Sequence, residues 1–153
     1  MSASAMMGKV REVGKVITPL EITNHADQIR AQAGDIPTDR VRSMVLSAVL
    51  VDTGATSLSL PADAIARLGL AVRREVLLQT ATGTATARLF QDAAISLMGR
   101  EATFDCVELP EGSEPLLGVI PLEALGLEPD LRNQRLRVLP DDTDGTYWTA
   151  YVV

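Results

Sequence analysis

Short runs of β-branched and aliphatic residues, separated by glycine and by polar pairs, occupy most of the chain. In residues 41–54, apolar side chains fill both alternating sets of positions, which predicts a strand covered on both faces at its end, as in a closed barrel or a sandwich. Further strands are predicted from similar runs, joined by turn-sized links that carry glycine. They lie within 9–22 and at 72–80, 84–98, 101–109 and 134–139, the last as a final core strand.

Two short helices are predicted between these strands. Residues 60–70 place Pro61 where the first helical turn begins and Gly69 where the helix ends. The apolar side chains between them recur at helical spacing, and glycine favours the left-handed conformation that ends many helices. Residues 121–126 repeat the arrangement on a smaller scale, with proline at the start and glycine at the end.

The remaining segments decide the domain organisation. The polar stretch 23–40 is interpreted as a loop excursion between strands, with a helical turn at 26–33 as the alternative. Six or more short strands and one or two short helices predict a mostly β single domain over residues 1–140. The tail 141–153 carries three of the five aromatic side chains. A terminal strand of this kind either forms a dimer interface with another chain or closes the chain's own sheet.

Composition excludes several classes of function. The net charge is −6, which argues against binding to nucleic acid or to anionic lipid, since both require a basic face. Cys106 and His25 are alone of their kinds, which excludes a Cys/His zinc site and an intrachain disulfide within one chain. We expect Cys106 to be a buried small hydrophobe, and we expect no metal and no cofactor. No apolar stretch is long enough to span a membrane and no signal peptide is recognised, which predicts a cytoplasmic protein.

One carboxylate stands at the end of an apolar strand. The segment 48–61, AVLVDTGATSLSLP, leads Asp52 directly into Thr53 and Gly54. Burying a lone carboxylate is costly unless it is hydrogen-bonded, paired or made to share a proton. Asp52 is therefore either a turn-forming residue at a strand end or a group held there for chemistry.

Two further segments follow this one along the chain. The hairpin 77–89 has a small, glycine-bearing tip, which suits a mobile flap, and 114–127 leads two leucines and a glycine into a short helix. The order VDTGA, TATGT and LLG resembles the retropepsin-like aspartic proteases, and the stretch LLGVIP is similar to that of the bacterial members. The resemblance covers about residues 41–139.

The resemblance implies a closed β-barrel of the retropepsin type and hydrolysis of peptide bonds. In such enzymes two carboxylates share one proton and hold the attacking water between them. By resemblance, Asp52 is the catalytic residue, Thr53 bonds its counterpart across a dimer, and Gly54 brings its backbone amide close to the carboxylate. The residues implied to contact substrate are Ala55, Thr82 and Gly83.

A protease of this kind requires a second chain. The segment 141–145, DDTDG, follows a proline instead of an apolar strand and is interpreted as a turn, so the sequence holds one suitable aspartate. A two-fold axis beside Asp52 supplies the second carboxylate, because such an axis places the same surface on both partners. The predicted partners are therefore a second copy of the chain and a peptide or protein substrate.

Two other functions remain open. The first is a catalytically silent β-barrel that dimerises or binds peptides and keeps the Asp-Thr-Gly loop without processing anything. The second is a barrel that binds a small ligand, with Asp52 as a hydrogen-bonding anchor. Dimer assembly separates the first function from the protease, since a persistent monomer holds only half of a catalytic pair.

Overall fold

The computed structural model describes residues 15–140 of the 153-residue chain. This part is mostly β with a few short helices, as predicted. In chain order its elements are β1 (Val16–Asn24), α1 (His25–Gln32), a 3-10 helix (Thr38–Arg40), β2 (Ser43–Val51), β3 (Leu58–Pro61), α2 (Ala62–Leu68), β4 (Val72–Thr80), β5 (Gly83–Leu97), β6 (Arg100–Leu109), β7 (Leu116–Leu117), α3 (Val119–Leu125), β8 (Leu127–Asp130) and β9 (Arg135–Val138).

Seven of the strands form one sheet, in the order β1-β2-β7-β3-β6-β5-β4, and β1 also pairs with β5. The pairs β2–β7 and β3–β6 are parallel, and the others are antiparallel. The predicted hairpins β4–β5 and β5–β6 are present, with tight links at 81–82 and 98–99. β7 lies between β2 and β3 and pairs with both, so the end of β2 lies beside the start of α3, which follows β7.

The interior of this sheet is aliphatic, as the low aromatic content requires. Its largest fully buried side chains come from β1, β2, β3, α2, β5, β6, β7 and α3, and include Leu20, Ile22, Leu58, Leu60, Leu68, Ile95, Leu117 and Leu125. Cys106 lies among them with no exposed surface, which confirms its prediction as a small hydrophobe. Burial raises the pKa of its thiol to about 12, since the thiolate loses its hydration there.

The stretch 23–40 is not a loop throughout, because it holds α1 and the 3-10 helix, and α1 confirms the alternative of a helical turn at 26–33. The Asn24 side chain caps α1 by accepting the backbone N–H of Asp27 at 3.0 Å. The buried Asp27 carboxylate accepts the backbone N–H of Arg42 at 3.0 Å and two guanidinium N–H groups at 2.8 and 3.0 Å. The described residues therefore contain three α-helices instead of one or two, and a contact across 15 positions stabilises the additional one.

Other boundaries differ from the predictions where elements are short. Pro61 ends β3 and occupies the N-cap position of α2, without a side-chain cap hydrogen bond, instead of lying in the first turn of the helix. Gly69 ends α2 with φ +63°, as expected. The two-residue β7 and the four-residue β8 were not predicted. The strand predicted at 134–139 is not part of the core sheet, since β9 pairs only with β8 within residues 15–140.

Two predicted features fall outside the described residues. The first is the N-terminal part of the 9–22 strand region, since β1 begins at Val16. The second is the tail 141–153, together with its roles as a dimer strand or as a strand of its own sheet. The helices of residues 15–140 are all too short or too polar to cross a membrane.

Candidate active site

Asp52 lies directly after β2, at the point where this strand leaves the sheet. Val49 and Val51 are buried on the inner face of the strand, and the next residue is only partly buried. The Asp52 N–H donates to the Leu117 carbonyl at 3.0 Å, which continues the parallel pairing of β2 with β7 by one residue. The sheet therefore fixes the Asp52 backbone and leaves its carboxylate at the protein surface.

A tight turn follows the strand end. The Gly54 N–H donates to the Asp52 Oδ1 at 2.9 Å, and the Ala55 N–H donates to the Asp52 carbonyl at 3.1 Å. A Cβ at Gly54 would lie 3.2 Å from Asp52 Oδ1, closer than most Cβ contacts. Thr53 and Gly54 are exposed and Ala55 is half-buried, so the turn presents its outer surface to solvent.

The start of α3 holds the rest of this turn. The backbone N–H groups at a helix start lack partners inside the helix and need acceptors elsewhere. Three consecutive N–H groups here donate to three consecutive carbonyls of the loop. These bonds run from Gly118 to Ser57 at 3.1 Å, from Val119 to Ala55 at 2.9 Å and from Ile120 to Thr56 at 2.9 Å.

Gly118 packs against the Asp52 loop and was not among the predicted site residues. A Cβ there would lie 2.5 Å from the Ser57 carbonyl oxygen and 2.7 Å from the Ser57 nitrogen, both of which are backbone atoms. Its backbone is extended, with φ −88° and ψ −172°, so close approach and not conformation requires glycine. The LLG motif marked this position, but the contact with the Asp52 loop is visible only in the fold.

The β4–β5 hairpin carries the other predicted site residues. Thr80 pairs with Gly83 across a two-residue tip that contains Thr82, and the Thr80 hydroxyl donates to the Gly83 carbonyl at 2.8 Å. Gly83 has φ +136°, which other residues adopt only with strain. The tip is exposed, and no hydrogen bond joins it to the Asp52 loop within residues 15–140. Among the described residues, Thr82 and Gly83 are therefore not linked to Asp52 by a hydrogen bond.

Ion pairs connect the strands at the base of this hairpin to β6. Arg73 contacts Asp105 at 3.0 Å, and Arg88 contacts Glu108 at 2.8 Å. The Glu108 carboxylate raises the pKa of Arg88, mainly through hydrogen bonds from the guanidinium. Both pairs are partly exposed, so they orient the base of the hairpin more than they add to stability.

Within the described residues, Asp52 has no positively charged partner, and no cluster of side chains suited to a metal ion is present. No ion pair there includes Asp52. No group of three or more His, Cys, Asp or Glu side chains among residues 15–140 is placed to hold a metal ion. His25 bonds Gln28 at 2.8 Å on α1, apart from the core position of Cys106. Asp52 carries the only ionisable side chain in the loop 52–57.

A family model described as gag-polyprotein putative aspartyl protease matches residues 45–124. The chain belongs to this family. The match covers more than half of the chain and includes the Asp52 loop, the β4–β5 hairpin and Gly118. No curated protein matches the chain. Membership in an aspartyl protease family supports the resemblance to retropepsin-like enzymes that the three motifs indicated.

Proposed function

We propose that this member of the aspartyl protease family is an aspartic endopeptidase that works as a homodimer. The observation that carries the proposal is the Asp52 loop. It presents a partly buried carboxylate at a strand end, orients it with the Gly54 N–H and is held by α3. A structural turn does not require the exposed Thr-Gly surface or the close approach of Gly118.

The chemistry follows from two such carboxylates at one site. The ionised Asp52 of one chain takes a proton from water while the water oxygen attacks the peptide carbonyl carbon. The protonated Asp52 of the other chain donates its proton to the carbonyl oxygen. Collapse of the tetrahedral intermediate then breaks the C–N bond, and the leaving nitrogen takes up the proton. Two like carboxylates a few Å apart keep one shared proton, because both cannot ionise together.

The proposed roles of the other residues follow from their position relative to Asp52. Thr53 is exposed beside Asp52, where a two-fold axis would bring it against its own copy. Ala55 is proposed to face the substrate backbone, and Thr82 and Gly83 are proposed to close over an extended peptide. Their exposure at the hairpin tip supports this role, since the tip is free to contact a chain lying across the dimer.

The strand pairings support a closed barrel as the scaffold. Following neighbours through β1, β2, β7, β3, β6 and β5 leads back to β1, because β1 pairs with both β2 and β5. Of the seven strands of this sheet, β4 lies outside the circuit, as the outer strand of the hairpin. A closed barrel would hold Asp52 rigidly while leaving β4 and the hairpin tip free to move.

We also propose that the protein is cytoplasmic and that it is related to the bacterial members of the family. The single cysteine, fully buried, needs no oxidising compartment. The proposed relationship to bacterial members rests on the LLGVIP stretch, residues 116–121.

The decisive experiment compares wild type with Asp52→Asn for cleavage of an unfolded protein between about pH 4 and 7. We expect loss of cleavage in Asp52→Asn and retention in Asp39→Asn, a matched substitution of an exposed aspartate in the 3-10 helix. Equal, background cleavage by all three proteins, with a dimer confirmed by sedimentation, would contradict the protease and favour the silent dimerisation or peptide-binding module.

A further inference from the structure

A cavity of about 620 Å³ lies beside α1, between this helix and the 3-10 helix that follows it. Its volume falls in the range of about 300–1,000 Å³ that is typical of ligand sites. All of its lining comes from one stretch of the chain, and we call it the α1 cavity. The lining residues are Asp27, Arg30, Ile36, Pro37, Asp39, Arg40, Val41 and Arg42.

The α1 cavity lies at the opposite end of β2 from the proposed catalytic residue. Arg42 comes just before β2 and Asp52 comes just after it. The nine residues of this strand extend over about 30 Å, since each residue advances a strand by about 3.3 Å. The cavity is therefore separate from the proposed active site.

Contacts within the chain hold the walls of the cavity in place. The Asp27 carboxylate accepts the backbone N–H of Arg42 at 3.0 Å and guanidinium N–H groups at 2.8 and 3.0 Å, which joins α1 to the start of β2. The Asp35 N–H donates to the Arg30 carbonyl at 2.8 Å, which fixes the chain as it leaves α1. The cavity is thus formed before a ligand binds, and binding requires little ordering of the chain.

The charge of the cavity is positive. Arg42 is neutralised by its contact with Asp27. Arg30 and Arg40 are exposed and form no ion pair within residues 15–140. One further carboxylate, that of Asp39, belongs to the lining and offsets only one of these two charges. The cavity is therefore a positively charged concave surface on a chain whose net charge is −6.

The rest of the lining is apolar. Ile36 and Val41 are half-buried, and Pro37 is exposed beside them. Guanidinium groups bind carboxylates through paired hydrogen bonds, and arginine clusters recognise acidic peptide motifs. An apolar surface next to them suits a peptide side chain and offers nothing to inorganic phosphate. Nucleic acid is disfavoured as well, since a long polyanion would also meet the acidic remainder of the surface.

We propose that the α1 cavity is a docking site for a short acidic segment of a partner protein. Carboxylates of the segment pair with Arg30 and Arg40, and one of its apolar side chains packs against Ile36 and Val41. The partner is bound and not cleaved at this position, because Asp52 lies at the far end of β2. The docking site does not depend on the proposed proteolytic activity.

The test measures binding of a fluorescein-labelled peptide, EDELEDE, by fluorescence anisotropy to the full-length Asp52→Asn protein, in which the proposed active site cannot cleave it. We expect saturable binding in the micromolar range that weakens as salt is added. The double variant Arg30→Glu/Arg40→Glu should bind at least tenfold more weakly. The matched control is Arg74→Glu/Arg132→Glu, at two exposed arginines outside the cavity without an ion pair in residues 15–140, which should bind as before.

Two further peptides test the chemistry of the site. EDESEDE lacks the apolar side chain and should bind several-fold more weakly, and QNQLQNQ lacks the carboxylates and should show no saturable binding. Equal binding of EDELEDE and EDESEDE, or equally strong competition by inorganic phosphate, would overturn the proposal, because the cavity would then take any small anion. Equal binding to the protein with and without the arginine substitutions would overturn it too.

Amide chemical shifts in NMR spectra locate the bound peptide. We expect EDELEDE to shift the amides of residues 29–42, and we expect the Arg30→Glu/Arg40→Glu spectrum to match its parent outside this stretch, which shows that the variant is folded. Shifts at residues 52–57 or 80–83 instead would overturn the proposal, since the peptide would then lie in the proposed active site. Every readout is binding to a protein without Asp52, so failure of this proposal leaves the proposed function to its own test.

Discussion

Two glycines allow the backbone around Asp52 to pack as closely as it does. Gly54 brings its N–H to 2.9 Å from the carboxylate, and Gly118 approaches the backbone of Ser57. The first was predicted from the DTG triplet and the second was not. A glycine in an ordinary extended conformation gives no sequence signal for close approach, since the neighbour it meets lies 61 positions away along the chain.

At this scale we predict that Gly118→Ala destabilises the fold by about 1–3 kcal/mol, because its Cβ meets backbone atoms that cannot rotate away. Urea unfolding measures the change. Gly99→Ala is the matched control, since Gly99 has φ +79° but nothing within 4 Å of an added Cβ. Its cost is conformational strain alone, about 1 kcal/mol. A Gly118→Ala protein as stable as wild type would show that the loop can move away from α3.

At the scale of elements, α1 depends on the contact between Asp27 and Arg42. The Arg42 guanidinium lowers the pKa of the Asp27 carboxyl, chiefly through side-chain hydrogen bonds and against the effect of burial. A lowered folded-state pKa stabilises the protein above the unfolded value, near 4, and that stabilisation is lost as the pH falls through the folded value. The contact is therefore expected to hold α1 at neutral pH and to weaken in acid.

We predict that Asp27→Asn lowers the free energy of unfolding by about 1–3 kcal/mol near pH 7, since it removes a charged acceptor from a buried position. The gap between wild type and variant should narrow as the pH falls below about 4 and through the lowered pKa of Asp27, where the wild-type carboxylate takes up a proton. Urea unfolding over this pH range measures it, with Asp39→Asn as the exposed control. If the difference in free energy of unfolding does not change with pH, the loss of stability comes from altered packing and not from the lost charge.

The long strands were predictable, whereas among the short ones only β9 was predicted. β4, β5 and β6 follow continuous strand-forming runs with glycine in the turns between them, so local preference and tertiary structure agree. β7 has two residues and exists only because β2 and β3 lie on either side of it. α1 is polar over most of its length, and its hydrophobic pattern alone does not reveal it.

At the scale of the whole molecule, the proposed enzyme exists only as a pair of chains. We predict that wild type mixed with an equal amount of Asp52→Asn retains about a quarter of the activity of the same total amount of wild type, because only about a quarter of randomly formed dimers carry both carboxylates. The total rate of the mixture after subunit exchange, compared with the same total amount of wild type, measures this, and mixing with Asp39→Asn should cause no loss. Retention of about half the activity would identify a monomer as the active unit.

The sequence by itself determined the positions of the long strands along the chain, the apolar character of the core, the burial of Cys106 and the candidate role of Asp52. Each of these follows from local pattern or from a residue type whose chemistry is distinctive, and the family match over 45–124 spans the three motifs. Only the tertiary structure decided that residues 25–32 form a helix and not a loop, the place of β7 and the need for glycine at 118. Those features arise where segments distant in sequence meet. They are stabilised by contacts between the two segments, which the local sequence of either segment does not reveal.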